Sequence, residues 1–261
     1  MNHNITKTIG MRFQNLFLYI GGATLLFIKT LLVAFTPPLK VRHILQQMRK
    51  TGVDSLPIVF LTSLFTGMVL ALQSAYQMQR ISAQIYIASL VALSITRELG
   101  PVLTGLVVAG RVGASITAEL GTMKVTEQID ALETLAANPV KYLVVPRFLA
   151  LLIMLPLLTL YADCIGIFGG YIVGVFKLNL SPSIYMNMTT NPLQLKDVFT
   201  GLFKSGVFAI IISIIGCHEG FRTTGGAEGV GRSTTSSVVI AFILIIAADC
   251  FFTALFYFIG R

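Results

Sequence analysis

Five stretches of the chain are apolar for about as long as a bilayer is thick, and this limits the possible folds more than any other feature. The stretches lie at approximately 56–76, 85–108, 143–171, 198–217 and 238–259. A helix that crosses the hydrocarbon core needs about 20 mostly apolar residues. Because backbone polar groups in lipid must be paired within the protein, such runs form helices rather than open sheets. The sequence therefore predicts an all-α integral membrane protein with five transmembrane helices.

The composition indicates one membrane domain and no separate soluble domain. Of the 261 residues, 55% are hydrophobic and 11% are charged, whereas soluble domains carry about 25% charged residues. We expect a single membrane unit over 1–261, with an N-terminal elbow region of 1–50 and a five-span core of 51–261. The net charge of +8 would suggest nucleic acid in a soluble chain. Here the basic residues cluster between apolar runs, where topology and anionic headgroups account for them, so no nucleic-acid partner is expected.

A sixth apolar run, at about 16–35, is interrupted by Gly21-Gly22 and by Lys29. The segment after it carries four basic residues that the positive-inside rule places in the cytoplasm: Lys40, Arg42, Arg49 and Lys50. Lys7 and Arg12, which precede the run, also favour the cytoplasm. We therefore expect the run to start and finish on one face, as an interfacial or re-entrant elbow helix. Six full spans remain the alternative.

The other loops follow by counting five spans onward from this cytoplasmic segment. The count gives alternating sides for the basic loops: Lys124, Lys141 and Arg147 inside, Lys177 and Lys196 outside, and Arg222 and Arg232 inside. Each pair of spans is thus expected to run in opposite directions.

Five charged residues lie inside the predicted spans: Arg97, Glu98, Asp163, Lys204 and Asp249. An unpaired charge at the bilayer centre costs about 2.5–3.5 kcal/mol on insertion scales, so ionic partners are expected. Two interpretations stay open: a polar lining or gate of a translocation path, or a structural ion-pair set that fixes helix register. A proton relay is less favoured, because no histidine lies in the middle of a span.

The loop predicted between the second and third spans, 110–146, contains a short helical signal. Thr126 suits the N-cap, and Glu127 in the first turn complements the helix dipole. Ile129, Leu132 and Ala136 recur at helical spacing, with the acidic residues on other faces.

Asn138-Pro139 is expected to end this loop helix. The helix is too short to be stable alone, so its apolar stripe needs a docking surface. That surface is either lipid or, as we favour, a protein partner, since three acidic residues are unsuited to anionic headgroups.

The segment GAEGVGRS at 226–233 nearly matches the phosphate-loop pattern G-x-x-x-x-G-K-[ST]. Arg232 replaces the lysine, and membrane spans flank it instead of a soluble α/β domain. We interpret it as a glycine-rich cytoplasmic turn. The three cysteines are spaced for neither zinc nor a disulfide framework, and no hydrolase motif is present. No catalytic residue, metal or cofactor is therefore expected in this chain.

Eight short blocks occur in order along the chain: GMVLALQ (67–73), RELGPV (97–102), AGRVG (109–113), AELGTM (118–123), EQIDAL (127–132), NP (138–139), VPR (145–147) and GVGRSTT (229–235). Together they resemble the MlaE permease family, the membrane subunits of ABC-type lipid transporters associated with MCE proteins. This family includes the chloroplast envelope permease for lipid import. The resemblance extends from about residue 52 to the end of the chain.

The resemblance implies a homodimer of five-span subunits with elbow helices, bound by two cytosolic ABC ATPase subunits that hold the ATP. It implies a coupling helix in the ATPase groove, made of Glu127, Gln128, Ile129, Asp130, Ala131, Leu132 and Glu133. It also implies a lipid cavity between the two permeases, open toward an MCE-domain lipid-binding protein. The candidates to line that cavity are Leu70, Gln73, Tyr76, Met78 and Leu99, with the intramembrane charges as a polar network beneath them.

The leading expectation is a non-catalytic permease subunit of an ABC-type phospholipid or glycolipid transporter. It would lie, as a multi-pass protein, in a bacterial inner membrane or a plastid inner envelope membrane. The alternative is a secondary transporter or channel driven by an ion gradient through the intramembrane charges.

Overall fold

The computed structural model describes residues 2–36, 40–79 and 83–259, with side chains within these ranges described from Phe17 to Phe258. Every regular element in these ranges is helical, and six helical stretches are long and apolar enough to cross a membrane, so the predicted all-α membrane class is confirmed. The α-helices are α1 (Asn2–Ala34), α2 (Val41–Thr51), α3 (Leu56–Gln79), α4 (Ile87–Ser94), α5 (Gly100–Val108), α6 (Ala114–Val125), α7 (Gln128–Thr134), α8 (Val145–Phe176), α9 (Pro182–Thr190), α10 (Leu195–Phe221) and α11 (Gly226–Ile259).

Helix α1 continues without a break through Gly21 and Gly22. Its described contacts lie at the cytoplasmic ends of other helices: the Tyr19 ring stands edge-on 4.8 Å from His218 in the last turn of α10, and Phe27 lies 6.3 Å from Phe148 in the first turn of α8. Contacts at one end of the bundle are those expected of an elbow, while Phe17–Ala34 is also one of the six stretches long and apolar enough to span. The side chains of Lys7 and Arg12, on which the elbow prediction also drew, lie outside the described part of the chain.

The second span is longer than the sequence predicts. Helical structure is continuous over Gln84–Val125, with two π-helical segments, Ile95–Leu99 and Ala109–Gly113, between α4, α5 and α6. The first part of the predicted 110–146 loop is therefore helix, and that prediction was wrong. The region is helical because Val112, Ile116 and Leu120 form one apolar stripe that packs into the core, where all three are nearly fully buried. Polar residues between them in the sequence hide this periodicity.

Helices α3 and α8 pack at backbone distance through glycines. A methyl group on Gly67 would overlap the backbone carbonyl of Gly166. Further along the same face, Gly170 and Gly174 leave room for the ring of Tyr185 from α9. Burial of this side chain raises the pKa of the Tyr185 hydroxyl to about 12. The small-residue face of the third predicted span is thus used within one subunit.

The phosphate-loop look-alike forms the first two turns of α11, so its interpretation as a turn was wrong. The actual turn precedes it, and Gly225 and Gly226 there have φ angles of +87° and +69°, which only glycine adopts without strain. Glu228 and Arg232 form an ion pair at helical spacing, 3.1 Å apart. A helical segment of this kind does not have the loop conformation that a phosphate cradle requires.

Alanine at Gly67 should destabilise the fold, because the added methyl group meets backbone atoms that cannot rotate away. We expect Gly67→Ala to lower the free energy of unfolding by about 1–3 kcal/mol, measured by thermal melts in detergent followed by circular dichroism. Gly206→Ala in α10 is the matched control, since a methyl group there meets nothing within 4 Å. Equal melting temperatures for the two variants would contradict the close α3–α8 contact.

Candidate functional site

Pro101 leaves a carbonyl oxygen without its usual partner inside the membrane. Proline has no N–H group, so the carbonyl of Arg97, four residues earlier, receives no helical hydrogen bond from it. The helix passes this point through the π-helical segment Ile95–Leu99, in which the N–H of Gly100 donates to the carbonyl of Ile95. Lys204 Nζ of α10 lies 3.2 Å from the Arg97 carbonyl and donates to it. Pro101 thus creates an acceptor for a buried cation.

Lys204 is fully buried and stands at the centre of an ion cluster. Its Nζ lies 2.7 Å from Glu98 Oε2 and 2.9 Å from Asp249 Oδ1, and it also contacts the Thr253 hydroxyl at 2.7 Å. Two carboxylates and two neutral oxygens surround the ammonium, which offsets the cost of removing it from water. We call Glu98, Lys204, Asp249 and Thr253 the polar cluster; it joins the second span to α10 and α11.

Arg97 faces a different partner. Its Nε donates to Asp197 Oδ1 at 2.8 Å, and the other carboxylate oxygen accepts the N–H of Gln194 at 3.0 Å. Asp197 thereby also closes the capping box that starts α10. The sequence prediction missed Asp197 because it lies just outside the apolar run, although the Gln194-x-x-Asp197 capping pattern could have indicated it.

Asp163 is not brought into the polar cluster. The carboxyl group is buried, and its Oδ1 has no hydrogen-bond partner among the described residues. It lies directly against the Cα of Gly100, where any side chain would collide with it. The predicted five-residue network therefore divides into the polar cluster, the Arg97–Asp197 pair and an isolated carboxyl.

A cavity of about 410 Å³ opens beside the polar cluster, lined by Arg97, Glu98, Lys204, Thr253 and Tyr257 among others. Lys204 lies in the third turn of α10, close to the end that the charge pattern places outside the cytoplasm. The cavity therefore lies at that end of the bundle and offers cations and carboxylates together.

The five predicted lipid-lining residues have different surroundings within one subunit. Leu70 and Met78 pack on a small apolar core formed around α3 and α4, Gln73 and Tyr76 are exposed, and Leu99 borders a narrow gap next to α8. None of the five lines the 410 Å³ cavity within this chain.

The predicted coupling helix exists as α7, with different ends. Thr126 is not the N-cap; it closes α6, and Glu127 caps α7 with a left-handed φ of +59°. The chain leaves the helix before Ala136, whose φ is +56°. Asn138 does not end α7 but starts the next helix, because its Oδ1 accepts the N–H of Val140 at 3.0 Å.

The apolar stripe of α7 packs against the protein itself. Ile129 is buried in the main apolar core, and Leu132 packs onto that core. The exposed face carries Glu127, Gln128, Asp130, Ala131 and Glu133. The docking surface inferred for the stripe is therefore intramolecular, and the helix presents its acidic face outward.

A second ion cluster ties the cytoplasmic ends together and was not predicted. Glu119 of α6 pairs with Lys50 of α2 and with Arg147 of α8 at 3.1 Å. Arg111 donates to the Ser55 hydroxyl at 2.7 Å. Arg111, Glu119 and Arg147 each belong to one of the eight sequence blocks, and Lys50 belongs to the basic segment after the first apolar run. The sequence does not indicate that these four charged residues lie close together, because their proximity depends on the tertiary fold.

Comparison with known proteins bears directly on this arrangement. The family model "Permease MlaE" matches residues 44–255. A probable ABC transporter permease protein of Rickettsia felis is 48% identical over 254 residues, covering 97% of this chain and 98% of the relative. A probable ABC transporter permease protein of Synechocystis is 46% identical over 216 residues, covering 83% and 82% of the two chains.

A plant protein is similar as well. The chloroplastic protein TRIGALACTOSYLDIACYLGLYCEROL 1 of Arabidopsis thaliana is 42% identical over 216 residues, covering 83% of this chain and 62% of that protein. These relatives and the long apolar helices fit a multi-pass protein of a bacterial inner membrane or a plastid envelope. Because the family model matches most of the sequence and relatives align along nearly all of it, the chain belongs to the MlaE permease family, as an ABC transporter permease.

Proposed function

We propose that this permease moves phospholipid or glycolipid between membranes, with the ATP hydrolysed by a partner ATPase. The observation that carries the proposal is the polar cluster beside an open cavity, near the end of α10 that the charge pattern predicts to lie outside the cytoplasm. A zwitterionic or anionic headgroup needs both donors and acceptors in such a place, and the cavity offers both. The name of the Arabidopsis relative, which refers to a galactolipid, supports a lipid as the substrate.

The polar cluster has a second property that suits a transporter. Lys204 bridges three helices, so any movement of one helix changes how many of its partners the ammonium keeps. A ligand shifts a conformational equilibrium only when it binds the two states differently. A headgroup that competes for Lys204 or Glu98 would bind more tightly to a conformation in which the ion pairs of the cluster are broken than to one in which they are formed.

Helix α7 is the proposed contact with the ATPase. Its acidic face is exposed while Ile129 and Leu132 anchor it to the core, so force applied to this face reaches the bundle directly. Family membership supports an ABC-type motor over the ion-gradient alternative, for which the isolated Asp163 carboxyl is the only specific observation in the described residues.

A second copy and an MCE-domain protein complete the proposed assembly. Helix α11 exposes a row of large apolar side chains, among them Val239, Ile243 and Ile246, each more than half exposed. Lipid or another permease subunit would cover this row. The proposal of a homodimer and of an MCE partner is based on the family resemblance. The exposed apolar row of α11 is consistent with contact to lipid or to a second permease subunit.

Lys204→Met should abolish lipid transport and also destabilise the protein, because it leaves two carboxylates facing each other without a cation. Loss of one partner of a buried ion pair costs about 3–5 kcal/mol. The triple variant Glu98→Gln, Lys204→Met, Asp249→Asn removes the charges together and should recover most of that stability. Transfer of a fluorescent lipid between proteoliposomes, with the ATPase present, is measured for both variants.

The triple variant separates a transport role from a structural one. We expect it to remain inactive although stable, since the headgroup partners are gone. If lipid transfer returned together with stability, the polar cluster would be only a structural ion-pair set. Lys177→Met is the matched control and should retain transfer, because Lys177 is an exposed lysine that does not line this cavity.

Asp130→Lys should uncouple the permease from its ATPase while leaving insertion and folding intact. Asp130 is half-exposed and paired with Lys124 at 2.7 Å, so reversal places two cations together on the proposed docking face. We expect the amount of ATPase retained in a mild-detergent pull-down to fall by about tenfold or more, equivalent to at least about 1.4 kcal/mol. Lipid transfer should stop.

Glu228→Lys is the control for charge reversal. Glu228 is also cytoplasmic, exposed and ion-paired, but it lies on α11 rather than on α7. It should retain the ATPase as well as the unsubstituted chain does. Normal ATPase binding and lipid transfer by Asp130→Lys would show that α7 is not the coupling helix.

A further inference from the structure

A basic cavity lies at the cytoplasmic end of the bundle, far from the polar cluster. Its volume is about 210 Å³, and it lies between the start of α2 and the start of the third predicted span. Lys40, His43 and Lys141 contribute the polar groups, and Tyr142 and Val145 contribute apolar wall. None of the described residues that line it is acidic.

The Lys40 ammonium at this basic cavity is held in place by an aromatic ring, against which the His43 ring also packs. Lys40 Nζ lies 4.2 Å from the centroid of the Tyr142 ring, and the His43 ring lies 5.4 Å from the same ring. Such a cation–π contact orients the ammonium without neutralising its charge. Lys141 borders the same space from the adjacent backbone position, so the positive potential is concentrated at one point.

The start of α2 adds to this potential. Among the described residues, no side chain caps its N-terminus, and its first turn contains no acidic residue. The helix that forms the other wall of the cavity begins near Val140, and its N-terminus is capped, because Asn138 Oδ1 accepts the N–H of Val140. The uncapped end of α2 therefore leaves its dipole and free N–H groups to favour an anion beside Lys40 and His43.

We propose that the basic cavity binds the phosphate headgroup of an anionic glycerophospholipid from the cytoplasmic leaflet. One observation favours a lipid over a soluble phosphate. Val41 and Leu45 on α2 are more than half exposed next to Lys40, which suits an interfacial helix with acyl chains beneath it.

The lipid site is separate from the proposed transport path. It lies on the face opposite the 410 Å³ cavity, and it joins α2 to the beginning of the third span. A bound headgroup would hold these two elements together on the side where α7 also lies. The inference does not depend on what the permease transports.

The test uses a fluorescent reporter that the sequence makes unambiguous, since the chain contains no tryptophan. Tyr142→Trp places a single indole in the wall of the basic cavity and preserves the cation–π contact with Lys40. The variant is reconstituted in vesicles of phosphatidylcholine with a minor fraction of phosphatidylglycerol. Either the phosphatidylglycerol or an equal fraction of phosphatidylcholine carries brominated acyl chains, which quench indole emission on contact.

We expect brominated phosphatidylglycerol to quench more strongly than brominated phosphatidylcholine. Adding Lys40→Gln and Lys141→Gln should reduce this preference by about fivefold for each lysine removed, given the usual contribution of a basic residue near an anionic membrane. Removal of the same charge on the outer side by Lys177→Gln and Lys196→Gln should leave the preference unchanged. Raised ionic strength should also reduce the preference in the Tyr142→Trp protein, which supports the proposal even if the glutamine variants misfold.

Three results would overturn the proposal. Equal quenching by the two brominated lipids would show that the cavity has no headgroup preference. A preference that survives removal of both lysines and high salt would show that the basic cavity is not its source. Equal quenching by the two lipids, together with a change of indole emission on addition of inorganic phosphate but not of chloride at equal ionic strength, would show that the site takes free phosphate rather than lipid.

Discussion

A single buried cation, the Lys204 ammonium, connects three of the long helices of this permease. Lys204 meets Glu98 on the second span and Asp249 on α11 while remaining part of α10. Removing an ammonium from water is costly, so this arrangement exists only if all its acceptors are supplied at once. Pro101 supplies the last of them by freeing the carbonyl of Arg97. The helix irregularity and the ion cluster thus meet at one atom, the carbonyl oxygen of Arg97.

Close backbone approach is the second constraint, and it acts away from the charges. Gly67 and Gly166 let α3 and α8 touch, and Gly201 brings α10 against the carbonyl of Thr96 and the ring of Pro101. In a bilayer there is little hydrophobic driving force between helices, because lipid chains are as apolar as the side chains. Close van der Waals packing of this kind therefore provides much of the free energy of helix association. The glycine at 201 also brings Lys204, one turn later, within reach of the second span.

The sequence predicted what depends on local pattern and missed what depends on tertiary contact. Apolar runs predicted the spans, and ordered motifs predicted the family. The 110–125 region was misread because Val112, Ile116 and Leu120 are separated by polar residues whose burial the sequence does not reveal. Thr126 looked like a helix start, but the left-handed backbone of Glu127 is a property of the α6–α7 junction. Asp197 and the Glu119 cluster escaped because their partners lie far away in sequence.

The continuity of the second span has a mechanical consequence. From Glu98 to Val125 the chain is helical throughout, a length of roughly 40 Å at 1.5 Å per residue, and α7 begins within three residues of its end. The proposed docking surface on α7 and the Glu98 carboxylate therefore lie at the two ends of one rod. Between Gly100 and Val125 the regular α-helix is interrupted by the π-helical segment Ala109–Gly113. Displacement at one end reaches the other through covalent backbone, and this segment is a place where the rod can bend.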